Sequence, residues 1–214
     1  EERLGPHGSP RYAFDRVAAI GKLHHSRSRR RSACHLGGML QRRRCAGRSA
    51  NIRPMIVLFT DFGPGGPYVG QVHAVLAQQA PGTAIIDLFH DVPSFDIRAA
   101  AYLLPAYTRG FPPGTVHVCV VDPGVGSERR ALMVKADHRW YVGPDNGLFH
   151  VVARRARDLE CHEIRWRPAP LSSSFHGRDL FAPVAAQLAH GLMPECVPVA
   201  LTPPAPEWPE DLAQ

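Results

Sequence analysis

No stretch of this 214-residue chain approaches the ~18 consecutive apolar residues of a membrane span, and none has the apolar core of a secretory leader. Its five cysteines, at positions 34, 45, 119, 161 and 196, form no CxxC pair and no even disulfide framework. Cys119 lies inside an apolar run and is expected to be a small buried hydrophobe, and a reducing cytoplasm is the expected compartment. HxxxH and HExxH are both missing, which argues against a dedicated metal site. With neither GxGxxG nor GxxxxGK[ST], a nucleotide would not be held by a standard phosphate cradle. There is no GxSxG elbow, so the polar run Ser172 to Ser174 is weak ground for a nucleophile. No internal repeat is present.

Charge is unevenly spread. Residues 1–54 hold 12 Arg and 1 Lys against 3 acids, a balance of +10, whereas residues 55–214 hold 12 basic and 16 acidic groups, a balance of −4. The basic arm, with Arg29-Arg30-Arg31 and Arg42-Arg43-Arg44, has no sustained apolar periodicity and is expected to be disordered. Its composition fits a polyanion-binding tail, an Arg- and Ser-rich targeting segment, or upstream sequence translated ahead of a start at Met55. The third reading suits a chain that opens on Glu1 and whose first apolar strand begins at Met55. No aromatic interleaving supports a specific nucleic-acid reader.

From Met55 the pattern alternates. Met55–Thr60 is a continuous apolar run, the mark of a strand buried on both faces, and it ends in the breaker-rich Asp61-Phe62-Gly63-Pro64-Gly65-Gly66. Val69, Val72, Val75 and Leu76 recur at helical spacing over 68–79. A strand over 84–89 and His90-Asp91-Val92-Pro93 follow, then a helix capped by Asp96. Strand 115–121, a hairpin of 131–135 with 140–142, a helix over 148–159, a strand over 161–166 and a helix over 178–190 complete the reading. This alternation predicts an α/β fold, a three-layer α/β/α sandwich with a mostly parallel, mixed central sheet. Residues 55–200 form the predicted domain, and the Pro-rich 201–214 reads as a linker.

In such sheets ligands bind beyond the carboxyl ends of the strands. Three loops there carry Asp61, Asp122, and Asp145 with Asn146, each bracketed by Gly or Pro. Asp61 and Asn146 suit a diol or an adenine edge; their structural roles would be capping the next helix and making a turn before Gly147. Asp122, Arg129 and His176 are the reactive candidates. A Gly-containing turn can fold Asp122 onto Arg129, which would hold the carboxylate ionised, and an imidazole is the natural proton-transfer group near neutral pH. A structural ion pair plus a helix-capping histidine fits the same spacing.

Thr60-Asp61-Phe62-Gly63 with Pro67-Tyr68-Val69-Gly70, Asp122-Pro123-Gly124-Val125-Gly126, Pro144-Asp145-Asn146-Gly147 and Phe175-His176-Gly177-Arg178-Asp179 occur here in the order that they have in one family. From Met55 to about Ala200 the chain resembles the S-adenosylmethionine hydroxide adenosyltransferases, relatives of the enzymes that halogenate the same substrate. The resemblance implies hydrolysis of S-adenosylmethionine to adenosine and L-methionine, with water attacking ribose C5′ in line with the departing sulfur. It implies that Asp122 and His176 orient the water and accept its proton, that Arg129 holds Asp122 and the water in place, and that Asp61 takes the ribose hydroxyls. Further substrate contacts are implied for Tyr68, Phe95, Asn146 and Gly177. No cofactor beyond the substrate, no metal and a homotrimer are implied. So is a second, C-terminal β-barrel-like domain completing the pocket, of which residues 201–214 would hold only the linker. The halogenating relatives carry Tyr at the positions of Asp122 and His176, and Ser at Gly177, which favours the hydrolase. Competing readings are a folded remnant that does not catalyse and, through residues 1–54, a nucleic-acid binder.

Overall fold

The computed structural model describes residues 54–202 and 208–209. The chain divides into two units, residues 1–46 and 47–214, and the described residues belong to the second. The expectation of a basic arm over 1–54 therefore falls almost wholly outside the described residues.

Among the described residues twelve elements follow Pro54: β1 (Met55–Thr60), α1 (Pro67–Gln79), β2 (Ala84–Phe89), α2 (Ile97–Thr108), β3 (Val116–Val120), β4 (Ala131–Ala136), β5 (Arg139–Pro144), α3 (His150–Arg155), β6 (Leu159–Ile164), a π-helical turn (Gly177–Phe181) continuous with α4 (Ala182–Ala189), and β7 (Cys196–Pro198). The strands make one sheet in the order β2-β1-β3-β5-β4-β6-β7. Pairings among β2, β1, β3 and β5 are parallel; those of β4 with β5, β4 with β6, and β6 with β7 are antiparallel.

Apolar side chains alternate across the sheet because successive residues of a strand face opposite ways. Ile56, Leu58, Val116, Val118 and Val120 pack beneath α1 and α4 with Leu76, Leu180 and Val184. Phe59, Cys119, Val121, Leu132 and Val134 pack on the other face, against Leu104 of α2 and Val152 of α3. The result is the expected α/β sandwich with a mixed sheet. Cys119 is fully buried, and burial pushes its thiol well above the ordinary value.

Local periodicity misplaced two elements. The helix expected over 148–159 is confined to His150–Arg155, and Leu159 opens β6 two residues before the expected start. Asp137 Oδ1 accepts from the Arg157 and Asp158 amides at 2.9 and 3.2 Å, turning the backbone extended at Ala156 and delivering Leu159 opposite Ala136. The last helix opens as a π turn, and β7 was not foreseen. At the end of the chain, the 208–209 dipeptide of the expected linker has a seat. Trp208 packs with Ala101, Tyr102 and Val151, and Arg154 donates to the Trp208 and Pro209 carbonyls at 3.0 and 2.9 Å.

The site follows from the sheet order. β1, β3 and β5 are parallel neighbours, so the loops after them leave from one rim. Residues 122–130 run from β3 to β4 across the end of β5, tied there by the Asp145 amide to the Arg130 carbonyl at 3.0 Å.

Candidate active site

At the end of β3 the chain turns through Asp122-Pro123-Gly124-Val125-Gly126. Gly126 has φ +82, and a Cβ there would run into the Ser173 carbonyl. Only glycine lets this loop close on the segment that carries His176. Arg129 folds back over the turn and forks onto Asp122. Its Nε donates to Oδ1 at 2.7 Å and its Nη2 donates to Oδ2. The same Nη2 reaches His176 Nδ1 at 3.1 Å, and the guanidinium lies over the Phe181 ring, 5.5 Å from its centroid. Both members of the pair are largely withdrawn from solvent, with side-chain exposures of 9% for Arg129 and 4% for Asp122.

This bridge fixes the state of the imidazole. A guanidinium only donates, so Nδ1 is the acceptor and the neutral ring carries its proton on Nε2. The His176 pKa is lowered from the ordinary value by burial first and by the Arg129 cation second, with Asp122 pulling the other way. Near neutral pH the ring is uncharged, while Asp122 keeps lone pairs that Arg129 does not use.

Asp122 and His176 line a cavity of about 260 Å3 together with Asp61, Phe62, Tyr68, Phe95, Val120, Val125, Ser174, Phe175 and Gly177. Phe62, Tyr68 and Phe175 form an edge-on aromatic wall, with centroids 5.5 Å apart for Phe62–Phe175 and 4.9 Å for Tyr68–Phe175. Gly177 is fitted under this wall, since a Cβ there would stand 2.8 Å from the Phe62 ring. Asp61 Oδ2 accepts from the Phe95 amide at 3.0 Å, and Phe95 stands at φ +61 and is 69% exposed. Asp61 does not cap α1; Gly66 occupies that position.

Of the residues expected from sequence, Asp61, Tyr68, Phe95, Asp122, His176 and Gly177 share this cavity. Arg129 lies behind its wall, where it can hold Asp122 and His176 but does not face a ligand. Asn146 is off the cavity. Its amide nitrogen donates to the Val121 carbonyl at 2.8 Å and its oxygen accepts from the Leu148 amide at 3.3 Å, so both polar ends serve the turn into α3. Asp145 is likewise engaged, by Arg130 Nε at 2.7 Å and Thr202 at 3.0 Å. Five lining residues were not foreseen: Phe62, Val120, Val125, Ser174 and Phe175. Phe62, Val125 and Phe175 lay inside quoted motifs, where a search for polar groups passes over them. Among the described residues no group of three or more His, Cys, Asp or Glu side chains is placed to hold a metal ion.

The fold is thus an α/β domain that carries a buried acid, a guanidinium and an imidazole together at one rim. Residues 56–197 match the SAM hydroxide adenosyltransferase N-terminal domain, and the chain belongs to that family. It is 50% identical over 155 residues to an (R)-S-adenosyl-L-methionine hydrolase of Thermus thermophilus, a match covering 67% of this chain and 60% of the relative. A protein of the same description from Salinispora arenicola is 45% identical over 142 residues, covering 64% of this chain and 54% of the relative. Among solved structures, an uncharacterized conserved protein from Thermotoga maritima superposes with a TM-score of 0.65 at 39% identity, covering 69% of this chain and 62% of the other. The chain thus spans a little over half the length of the curated relatives it matches.

Proposed function

We propose that this chain carries the water-activating half of an S-adenosyl-L-methionine hydrolase. The observation that carries the reading is the single guanidinium joining Asp122 to His176 behind a cavity that both of them line. A sulfonium leaves as a neutral thioether and needs no acid, whereas water is a poor nucleophile and needs orientation and a base. Asp122 supplies the base. Desolvated and locked by two charge-assisted bonds, it accepts a proton of the water. His176, with Nδ1 occupied, offers Nε2–H to the water oxygen. The water oxygen bonds to C5′ as the C5′–S pair withdraws onto sulfur, releasing methionine and adenosine. Positioning of this kind is a large source of rate.

Asp61 has an oxygen to spare for the ribose hydroxyls, and the Phe62–Tyr68–Phe175 wall with Phe95 suits the apolar faces of the adenosyl group. The cavity lies below the ~300 Å3 at which small-molecule pockets begin, so it grips one side of the ligand. The same reading takes S-adenosylmethionine as substrate with no separate cofactor, places the protein in the cytoplasm, and assembles it as a homotrimer in which a neighbouring subunit covers the open side. Among the described residues no helix is long and apolar enough to cross a membrane.

Incubation with S-adenosylmethionine and detection of adenosine and methionine by mass spectrometry tests the reaction. Asp122→Ala is expected to abolish both products. Undiminished turnover in that variant refutes the assignment, and 5′-halo-5′-deoxyadenosine formed in the presence of chloride or fluoride would make the nucleophile a halide instead.

A further inference from the structure

Two loops from neighbouring strands build one wall of the cavity: the loop after β1 carries Asp61 and Phe62, and the loop after β2 carries Phe95. Phe95 holds a left-handed backbone, which a residue with a side chain keeps only where its surroundings impose it. What imposes it is a set of bonds between the loops. Gly63 N–H donates to the His90 carbonyl at 2.6 Å, Val92 N–H to the Thr60 carbonyl at 3.3 Å, and Phe95 N–H to Asp61 Oδ2 at 3.0 Å. Side chains add a fourth tie, from Thr60 Oγ1 to His90 Nδ1 at 2.8 Å.

The direction of that fourth tie can be worked out. His90 Nε2 lies 2.9 Å from Asp87 Oδ1, and His73 Nε2 of α1 lies 2.7 Å from the same oxygen. Burial raises the Asp87 pKa, but hydrogen bonds from His73 and His90 outweigh it and hold the carboxyl below its ordinary value. An ionised carboxylate only accepts, so both Nε2 atoms donate. A neutral His90 then has Nδ1 as acceptor, and Thr60, 1% exposed, donates its hydroxyl proton to it. The Thr60 oxygen keeps a lone pair for the Phe62 amide at 3.4 Å. Every donor from His73 to Phe62 finds an acceptor with none in conflict, along a line that ends on the cavity wall.

The geometry points to His90 as a positioning residue for substrate: held by Asp87, which His73 also grips, it fixes Thr60 and so sets the loop bearing Asp61 and Phe62 against the loop bearing Phe95. None of its hydrogen bonds goes to Asp122, Arg129 or His176, so it acts on the binding wall and not on the water. His90 does not line the cavity.

The kinetic part of the test rests on the proposed hydrolysis; a second readout does not. His90→Gln can still reach Asp87 but not Thr60, Thr60→Val removes the hydroxyl at constant shape, and His90→Asn keeps an acceptor where Nδ1 stood. H90Q and T60V are expected to raise KM for S-adenosylmethionine about tenfold, with kcat within about twofold of wild type. H90N is expected to lie near wild type, and the T60V/H90Q double variant to be no worse than the poorer single one. Without substrate, amide hydrogen exchange at Gly63 and Phe95 is expected to speed up about tenfold in H90Q and T60V and to stay protected in H90N. Unchanged protection of both amides in H90Q and T60V overturns the role of His90, as does a fall in kcat at constant KM. A wild-type chain that turns over no S-adenosylmethionine would defeat the proposed function, and the exchange measurement would still decide the role of His90.

Discussion

Lowering the pH through the weakly acidic range should cost this fold a definite amount of stability at one side chain, His117. It stands on β3, fully buried, stacked on the Tyr141 ring at 4.7 Å with 12° between planes and edge-on to Phe111 at 5.6 Å. Its Nδ1–H donates to the Trp140 carbonyl at 3.0 Å, and its Nε2 is buried with no hydrogen-bond partner among the described residues. A proton added at Nε2 would have no acceptor. Burial accordingly pushes the pKa from 6.5 down to about 4; the bond to Trp140 opposes this and the Arg139 cation adds to it. Because the folded value lies below the unfolded one, the unfolded chain takes up a proton between these pH values while the folded chain does not. The cost is absent above the unfolded value, grows as pH falls, and is complete once the folded value is passed. A displacement of that size corresponds to about 3 kcal/mol, a large share of the stability of an ordinary domain. The comparison variant is His117→Phe, which keeps the stack and gives up the bond to Trp140, at about 1 kcal/mol near neutral pH. Urea unfolding of both proteins from neutral pH to about pH 4 isolates this histidine, since the other titrating groups are common to both. The wild type is expected to lose about 3 kcal/mol more than the variant over that span. Parallel losses would refute the reasoning.

Three further outcomes concern the site and its loops. Arg129→Met leaves Asp122 buried without its partner and is expected to destabilise the fold by about 3–5 kcal/mol in denaturant melts, most of it regained in the Asp122→Leu/Arg129→Met double variant. Because burial and the Arg129 charge keep His176 uncharged, the acid limb of kcat/KM is expected below the ordinary histidine value, with activity lost as pH falls through it; Arg129→Met should move the His176 titration, followed by NMR, upward. Gly126→Ala combines a left-handed backbone with a collision against the Ser173 carbonyl and is expected to cost more than about 2 kcal/mol, whereas Gly70→Ala, in open space on α1, should cost nothing by the same melts.

What could be read from the chain alone depended on how local each signal was. β1 and β3 stood out because strands covered on both faces are unbroken apolar runs, and the rim followed from parallel pairing. The fork of Arg129 on Asp122 spans seven residues and a glycine turn, close enough to foresee. That the same guanidinium also meets His176, 47 residues on, needed the two loops brought together. Asn146 shows the opposite limit. Its place on the rim was correct, yet a side-chain amide also suits a turn, and here the backbone around Val121 and Leu148 claims both of its ends. The length of α3 was misjudged because the carboxylate that halts it, Asp137, lies 20 residues upstream of the amide it caps. β7 has three residues, too few for any periodicity to register.

Arg129 and Arg130 are consecutive, yet they serve different masters. The first grips Asp122, and the second grips Asp145 and, at 3.0 and 2.9 Å, the Ala200 carbonyl and the Thr202 hydroxyl. The strand of chain leaving β7 is therefore moored a single peptide bond from the group that steadies Asp122. Any pull on that departing segment arrives at the Asp122 carboxylate through one stiff link, like tension on a rope tied beside a rudder.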